Sequence, residues 1–373
     1  MNRMVHRTIL FLLRRFEYPL VFLVSGFFLS LLQLHPSFPD PDSFYHARIA
    51  VEMIRGPILS FSALPFTALS DIFIDHHFLY HIFLVHFEAV LYPLVCLKIA
   101  TVIFAAGFLT CFYWLLRTYA RTRPLIALCF LALLILNTVF LFRLNLAKIP
   151  AVSLIVFFAG LIAIMRERYM RLFGLSFVYV WLYAGWPLLP LSSFIAWGIK
   201  IIFARENGAI PLERFDEGSS KRQGYGAILP IVSFSGALCG LILNPYFPTN
   251  LSFYWVQTVK IAVVNILTTV PVGGEWYPAG LSFIPSHGPT LMLLVFSLIA
   301  FIVPGLFAAV FHTPTFRRSR EQWFLCLLTL IFLMLTLKSR RYGEYFAPLA
   351  TLFSALVLTP LLTRDCYSRF CHF

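Results

Sequence analysis

The chain has 373 residues, of which 60% are hydrophobic and only 12% are charged. A water-soluble protein of this length cannot hide so much apolar surface, because part of any globule faces water. Apolar runs of about 17–25 residues recur along the chain, and each is long enough to cross a hydrocarbon core of about 30 Å. The composition therefore predicts an all-α, multi-pass bundle of transmembrane helices and excludes a soluble domain.

The formal net charge of +13 does not indicate a nucleic-acid-binding protein. The basic residues lie in short segments between apolar runs, which is the distribution that membrane topology requires. The seven cysteines include no CxxC pair, so neither a disulfide framework nor a zinc ribbon is predicted. We therefore expect membrane lipid, and no nucleic acid, as a partner of this chain.

Ten membrane spans fit the apolar pattern when the N-terminus is placed in the cytoplasm. The basic residues then fall into the cytoplasmic segments, as the positive-inside rule requires. The first span is expected to be retained, because no small-residue cleavage site follows its basic flank. We predict a single transmembrane domain, 1–373, with two external segments longer than topology needs, 35–92 and 244–288. The predicted spans are 19–34, 93–116, 124–142, 149–165, 172–185, 187–204, 225–243, 289–311, 323–337 and 345–362.

The first external segment opens with the run PDPDSFYHAR at positions 39–48. Asp40 and Asp42 follow prolines that end the first helix, and a surface helix is predicted from Asp42 as N-cap to a stop at Gly56. The cap alone explains Asp42, but it does not explain Asp40. A carboxylate at this depth could hold a divalent cation, Mg or Mn, against a lipid phosphate, or take a proton from an acceptor hydroxyl.

Further along the same segment, the run DIFIDHHFLYH occupies positions 71–81. It adds Asp71 and Asp75 to the external acids. His77 and His81 are four residues apart, on one face of a helix, and this spacing can ligate zinc. No glutamate completes a metalloprotease motif, so packing of interfacial histidines against aromatic side chains is the favoured interpretation.

The run KSRRYGEY at positions 338–345 stands at the predicted outer end of a span. Lys338, Arg340 and Arg341 contradict the positive-inside rule there, and their insertion is costly unless an anion compensates them. A phosphate would do so, since arginine binds it with two parallel hydrogen bonds. Snorkelling to outer-leaflet headgroups is the alternative. Glu275, the one acid of the second external segment, could complete a metal site, bind an acceptor, or be a solvated loop residue.

These elements resemble the GT-C class of membrane glycosyltransferases, in particular the catalytic subunits of oligosaccharyltransferases. The run DSFYHAR at 42–48 is similar to that family's Asp-x-x-Phe/Tyr-x-x-Arg element, which adds Tyr45 and Arg48 to the candidate site. Positions 71–80 resemble the acid-bearing end of the same loop, and YAGWP at 183–187 is similar to the family's mid-chain Trp/Gly turn. Glu275 lies where such enzymes carry a loop glutamate beside the metal. RRYGEY at 340–345, which includes Glu344, is similar to the basic motif that engages the lipid (pyro)phosphate.

Two departures limit what the resemblance implies. The family's second acidic motif would fall at 143–148, where this chain reads RLNLAK and has no carboxylate, so the family's metal ligands are incomplete. The soluble C-terminal domain with its Trp-Trp-Asp acceptor motif does not follow the last span. Transfer to asparagine sequons is therefore not implied.

The resemblance implies an inverting glycosyltransferase of the plasma or inner membrane, using a polyprenyl-(pyro)phosphate-linked sugar donor on the non-cytoplasmic face. Asp42, with Asp40, would act as general base or hold the divalent cation, and Arg340, Arg341 and Lys338 would bind the donor phosphate. The acceptor stays open, as does an additional subunit in place of the absent domain. Two other classes remain: a transporter or flippase of an anionic lipid-linked substrate, and a non-catalytic membrane family member.

Overall fold

The computed structural model describes residues 2–54, 56, 73–88, 92–206, 227–264, 273–303 and 318–370, with side chains between 16 and 204 and between 227 and 362. In these ranges the chain is helical and has no strand, which confirms the predicted all-α class for the described part. A π-helix, Trp255–Val264, continues α11, and two 3₁₀ turns lie at Gly274–Trp276 and Arg340–Tyr342. The α-helices are α1 (Asn2–Leu32), α2 (Pro41–Met53), α3 (Phe78–Glu88), α4 (Pro93–Thr118), α5 (Pro124–Ile135), α6 (Thr138–Leu144), α7 (Pro150–Met165), α8 (Tyr169–Leu182), α9 (Leu188–Glu206), α10 (Ile228–Ile242), α11 (Thr249–Tyr254), α12 (Phe283–Ser286), α13 (Gly288–Ile302), α14 (Arg320–Lys338) and α15 (Gly343–Phe370).

Three helical segments are long and apolar enough to cross a membrane: Pro93–Thr118, Arg320–Lys338 and Arg340–Leu362. Helices α5 and α6 pass the same test together, although the chain bends by 87° between them. Seven further apolar helices of 10–17 residues lie in the described part of the chain. Several helices therefore fit a membrane protein, while the ten-span topology and the cytoplasmic N-terminus stay predictions.

The span predicted over 124–142 is interrupted. Helix α5 ends at Ile135, and Asn137 caps α6 by accepting the backbone N–H of Phe140 on its Oδ1 at 2.9 Å. The Nδ2 of Asn137 donates to Thr290 Oγ1 of α13 at 2.9 Å. One asparagine thus ends the helix and bonds a neighbour in the interior, which hydrophobic periodicity does not signal. The bend places Arg143, near the end of α6, beside other helix ends.

Helix α2 begins two residues earlier than predicted. Its N-cap is Asp40, whose Oδ1 accepts the backbone N–H of Asp42 at 2.8 Å, and Pro41 is the first helical residue. Proline suits this position because it lacks an N–H and its φ is already helical. The cap role predicted for Asp42 is therefore wrong, and the helix terminus does not use the Asp42 side chain. The helix ends at Met53, close to the predicted stop at Gly56, whose φ is +136°.

Helices α8 and α10 pack with their backbones in close contact. A Cβ added at Gly236 would lie 2.3 Å from the carbonyl oxygen of Phe173, and one added at Gly240 would lie 2.8 Å from that of Phe177. Small residues permit this approach, which is typical of membrane helices. The pairing holds the end of α8 in place and with it Tyr183, the first residue after that helix.

The first 3₁₀ turn is attached to the end of α14 by hydrogen bonds. The N–H of Ala279 donates to the carbonyl of Leu337 at 3.0 Å, and the hydroxyl of Ser339 donates to the carbonyl of Glu275 at 3.1 Å. These bonds bring Glu275 beside Arg341 of the second 3₁₀ turn.

Candidate functional site

Five side chains from five elements form a closed ring of hydrogen bonds, named here the arginine–glutamate ring. Arg143 donates to Glu344 Oε2 through Nε at 2.9 Å and Nη2 at 2.7 Å, and to Glu275 Oε2 through Nη1. Arg341 donates to Glu275 Oε1 through Nη1 at 2.6 Å and to the Tyr183 hydroxyl through Nε at 3.0 Å. The Tyr183 hydroxyl donates to Glu344 Oε1 at 3.3 Å and closes the ring.

The ring is electrically neutral, because two guanidinium groups face two carboxylates. Buried charges persist only when they are paired and hydrogen-bonded, as they are here. Burial raises the pKa of Glu275, but the charges of Arg341 and Arg143 outweigh it and lower that pKa to about 2. Since every carboxylate oxygen of the ring accepts a bond from another member, the ring acts as a frame that ties the five elements together.

A cavity of about 330 Å³ lies beside the ring, between the start of α9, the π-helix and the end of α14. Its wall is mainly apolar, and Arg341 is the one charged side chain among the described residues that line it. The guanidinium carbon of Arg341 is 4.8 Å from the centre of the Trp276 ring and 5.4 Å from that of the Tyr183 ring. Aromatic faces at these distances stabilise a cation without consuming its N–H donors.

The π-helix Trp255–Val264 forms one side of this cavity. Such geometry is rare and is frequently found at functional sites. Lys338 Nζ donates to the carbonyls of Ala262 and Val263, at 2.7 Å and 2.6 Å, and so holds the end of the π-helix. Thr258 lines the cavity, and its buried Oγ1 has no hydrogen-bond partner among the described atoms.

A second buried polar network, named here the histidine chain, consists of Asp75, His81 and His46. Asp75 Oδ2 is 2.7 Å from His81 Nδ1, and His81 Nε2 is 2.7 Å from His46 Nδ1. Asp75 Oδ1 accepts the backbone N–H of His77 at 3.0 Å. The His77 ring stacks on the Tyr183 ring, with centroids 5.8 Å apart and planes 14° from parallel. The two networks therefore touch through one aromatic pair.

The imidazoles around this chain are held in the neutral form. Burial lowers the pKa of His46 and that of His77 well below the ordinary value, and neighbouring imidazoles act in the same direction, as Lys148 does on His46. Burial also lowers the pKa of His76 to about 4, against the opposing charge of Asp75. The His76 ring lies between His77 and Phe253, with centroid distances of 4.0 Å and 4.8 Å. Neutral imidazoles can accept protons, which protonated ones cannot.

Asp40 and Asp42 share the ammonium group of Lys148. Lys148 Nζ lies 2.6 Å from Asp40 Oδ2 and 2.6 Å from Asp42 Oδ2. The lysine side chain is only 10% exposed, whereas that of Asp42 is 65% exposed. Its charge contributes to the lowered pKa of His46 and of Glu275, so Lys148 lies near both buried networks. The two acids predicted as catalytic therefore share one cation near both networks, and neither is among the residues that line the cavity.

Three other predicted residues of the first external segment have different positions. Arg48 is exposed and pairs with Glu52, one turn along α2, at 2.5 Å. Tyr45 packs edge-on against His46 and His81, with centroid distances of 5.5 Å and 6.0 Å. Asp71 lies outside the described residues. Tyr45 thus belongs to the surroundings of the histidine chain, and Arg48 does not reach the site.

The three cations predicted to bind phosphate are separated in the structure. Arg340 is exposed, and its Nε donates to the carbonyl of Pro278 at 3.2 Å. Lys338 is bound to the π-helix carbonyls. Arg341 alone among the three lines the cavity and joins the ring, together with the predicted residues Glu275 and Glu344.

The described residues do not fit a divalent metal ion in this arrangement. In the described part, no group of three or more histidine, cysteine or acidic side chains is placed to hold one. The His77 and His81 rings are 6.3 Å apart, and His77 Nδ1 contacts the carbonyl of Leu182 at 3.3 Å. Asp40 and Asp42 both contact Lys148, and Glu275 is bound to two arginines. We derive no reaction step through a metal.

Sequence reasoning did not assign a site role to His46, Tyr183, Arg143 or Lys148. Arg143 and Lys148 did carry a signal, because they are cations at the predicted outer end of a span, the same exception to the positive-inside rule as positions 338–341. His46 carried no such signal, since its partner His81 is 35 residues away.

No family model matches this chain, and no curated protein is significantly similar to it in sequence.

Proposed function

We propose that the chain is an inverting membrane glycosyltransferase that takes a sugar from a polyprenyl-(pyro)phosphate-linked donor on the non-cytoplasmic face. The observation that carries the proposal is that Arg341 is the one charged side chain among the described residues that line a mainly apolar cavity. A lipid phosphate has the matching chemistry, an anionic head on a long apolar chain. Arginine suits that head because its planar fork of donors fits phosphate oxygens.

One donor of Arg341 remains for a ligand. Arg341 Nε and Nη1 are bound to Tyr183 and Glu275, while its Nη2 has no hydrogen-bond partner among the described residues. The Glu275 carboxylate is also shared with Arg143, so it compensates Arg341 only in part. A phosphate would bind through Arg341 Nη2, with its prenyl chain along the apolar wall.

Asp42 is the group proposed to activate the acceptor. Its exposed carboxylate would accept the proton of an acceptor hydroxyl, whose oxygen attacks the anomeric carbon of the sugar. The bond from that carbon to the phosphate oxygen breaks, and the phosphate leaves with the electron pair. Arg341 would stabilise the charge that develops on the leaving phosphate. Lys148 Nζ, 2.6 Å from Asp42 Oδ2, would position the carboxylate.

The test uses the full chain in proteoliposomes with a panel of labelled polyprenyl-phosphate monosaccharides. We measure release of free polyprenyl phosphate, because this product forms whichever acceptor is used. Asp42→Asn is expected to lower release by about 100-fold, the usual contribution of a general base. Arg341→Lys, which keeps a cation beside Glu275, is expected to lower it by at least about 10-fold.

The matched control is Arg340→Lys, since Arg340 is the exposed neighbour of Arg341. It should release polyprenyl phosphate at the wild-type rate. Release that is unchanged in Asp42→Asn would remove Asp42 from the reaction. Movement of the intact labelled donor across the bilayer, without release of its sugar, would instead support a transporter or flippase.

A further inference from the structure

The histidine chain is a buried array whose role the reaction above does not use. Asp75, His81 and His46 are 2%, 0% and 3% exposed, so bulk water does not bridge them. Two contacts of 2.7 Å join the three side chains in series. A carboxylate and two imidazoles in a row have the composition of a path along which protons can move.

The contacts determine which nitrogen carries each proton. A carboxylate only accepts, so we assign the proton of this contact to His81 Nδ1. With its proton on Nδ1, the His81 ring has its lone pair on Nε2, and this nitrogen accepts from His46 Nδ1–H. His46 is left with its lone pair on Nε2. The carboxylate is itself held by the backbone N–H of His77, so the orientation of the series is fixed at its inner end.

The outer end of the series, His46, lies on α2, the helix that also carries Asp42. His46 lies four residues after Asp42 on that helix, and residues at this spacing share one helical face. Lys148, which bridges Asp40 and Asp42, is close enough to His46 for its charge to act on that ring.

We propose that Asp75, His81 and His46 form a proton relay that draws the acceptor's proton away from Asp42 into the protein. His46 Nε2 accepts a proton, His46 Nδ1–H passes its proton to His81 Nε2, and His81 Nδ1–H passes its proton to Asp75. One proton enters and one reaches the Asp75 carboxyl, so charge and atoms balance. The source of the proton rests on the proposed function, whereas the geometry of the relay is independent of it.

A metal ion between the two histidines is the competing interpretation. It would need further ligands, and His77, the nearest other imidazole, has its Nδ1 directed at the carbonyl of Leu182. The titratable groups that face the relay among the described residues are Tyr45, His76, His77, Tyr80, Lys148, Tyr246 and Tyr254. In the described part of the chain, no group of three or more histidine, cysteine or acidic side chains is placed to hold a metal ion.

The first test measures histidine tautomers by nitrogen NMR on the full chain in lipid nanodiscs, with ¹⁵N-labelled histidine. His46→Gln and His81→Gln assign the two signals. In the wild type both rings should carry the proton on Nδ1, and Asp75→Ala should abolish this preference in both. His76→Ala, which alters a neighbouring imidazole outside the chain, should leave both signals unchanged.

The second test is kinetic. His46→Gln and Asp75→Ala should each lower kcat by about 10- to 100-fold with KM unchanged, and the double variant should be no slower than the single ones. The pH profile of kcat should lose its acidic limb in His46→Gln.

The relay is overturned if the tautomers of His46 and His81 are unchanged in Asp75→Ala. It is also overturned if one zinc ion per chain copurifies with the wild type and is absent from His46→Gln. Wild-type kcat in His46→Gln would also overturn it. If the tautomers respond as expected but the wild type releases no polyprenyl phosphate from any donor, the proposed function fails and the series of proton positions stands.

Discussion

The arginine–glutamate ring and the histidine chain are two buried polar networks that touch through His77 and Tyr183. The hydrogen bonds of the ring form a closed cycle, whereas those of the histidine chain form an open series. In the ring, every carboxylate oxygen is bound by another member, and the bonds return to their starting point. The histidine chain is fixed at Asp75 and open at His46. A closed network of paired charges holds elements in place, whereas an open series of neutral imidazoles can pass a proton. The comparison therefore separates a structural role from a chemical one.

The largest effect on stability is expected from Glu344→Gln. This change keeps the shape of the side chain but leaves Arg143 with one carboxylate instead of two, in a buried place. Breaking a buried ion pair in this way costs about 3–5 kcal/mol. Thermal unfolding in detergent should show a marked fall in Tm, while Glu52→Gln, on the surface of α2, should change it little. An unchanged Tm in Glu344→Gln would mean that the ring is not the frame of the site.

The two networks should also lose stability in different ranges of pH. The pKa of Glu275 is lowered to about 2, so its contribution is complete above its unfolded pKa of about 4.5 and is lost as pH falls toward 2. The pKa of His76, beside the histidine chain, is lowered to about 4, so that contribution is lost earlier, as pH falls from about 6.5 toward 4. Tm measured against pH should fall in two steps. His76→Phe should remove part of the upper step, and Glu275→Gln part of the lower one.

Tyr183 stands at the junction, and Tyr183→Phe tests whether the networks are separable. The change removes the hydroxyl shared by Arg341 and Glu344 but keeps the ring that stacks on His77. We expect a loss of about 1–2 kcal/mol, typical of a hydrogen bond to charged groups. The tautomers of His46 and His81 should not change. A shift in those signals would show that the ring and the chain act as one network.

Local features of this site could be predicted from the sequence. Prolines lie at the starts of α2, α4, α5 and α7 and predict those helix starts. The glycine and proline at 183–187 predict the turn there. Asp42 and Arg341 are predicted because a charge at a span's end is unusual, and Glu275 is predicted because it is the one acid of the second external segment. Each of these signals lies within a few neighbouring residues.

The pairing of those residues could not be predicted in the same way. Lys148 and Asp42 are 106 positions apart, and Arg143 and Glu344 are 201 positions apart. Such contacts depend on how helices pack, which includes the break at Asn137 that periodicity does not show. The choice of Asp40 over Asp42 as the cap was missed for another reason, since both residues are good caps and Pro41 decides between them.

The smallest effect on stability, and the most specific one, is expected from Lys148→Ala. Asp42 is largely exposed, so losing its ion pair should cost about 1 kcal/mol or less. The change leaves two carboxylates without their shared cation, and their repulsion is relieved by a divalent ion. Mn²⁺ binding, followed by electron paramagnetic resonance on the purified chain, should therefore appear in Lys148→Ala and be lost again in Lys148→Ala/Asp40→Asn. The wild type should bind no Mn²⁺ at this pair, and EDTA should leave its transfer rate unchanged. Because Lys148 lowers the pKa of both His46 and Glu275, its removal should raise both pKa values. A change at Lys148 should therefore affect the histidine chain and the arginine–glutamate ring together. Mn²⁺ bound by the wild type and released by Asp42→Asn would show instead that the lysine yields its place to a metal.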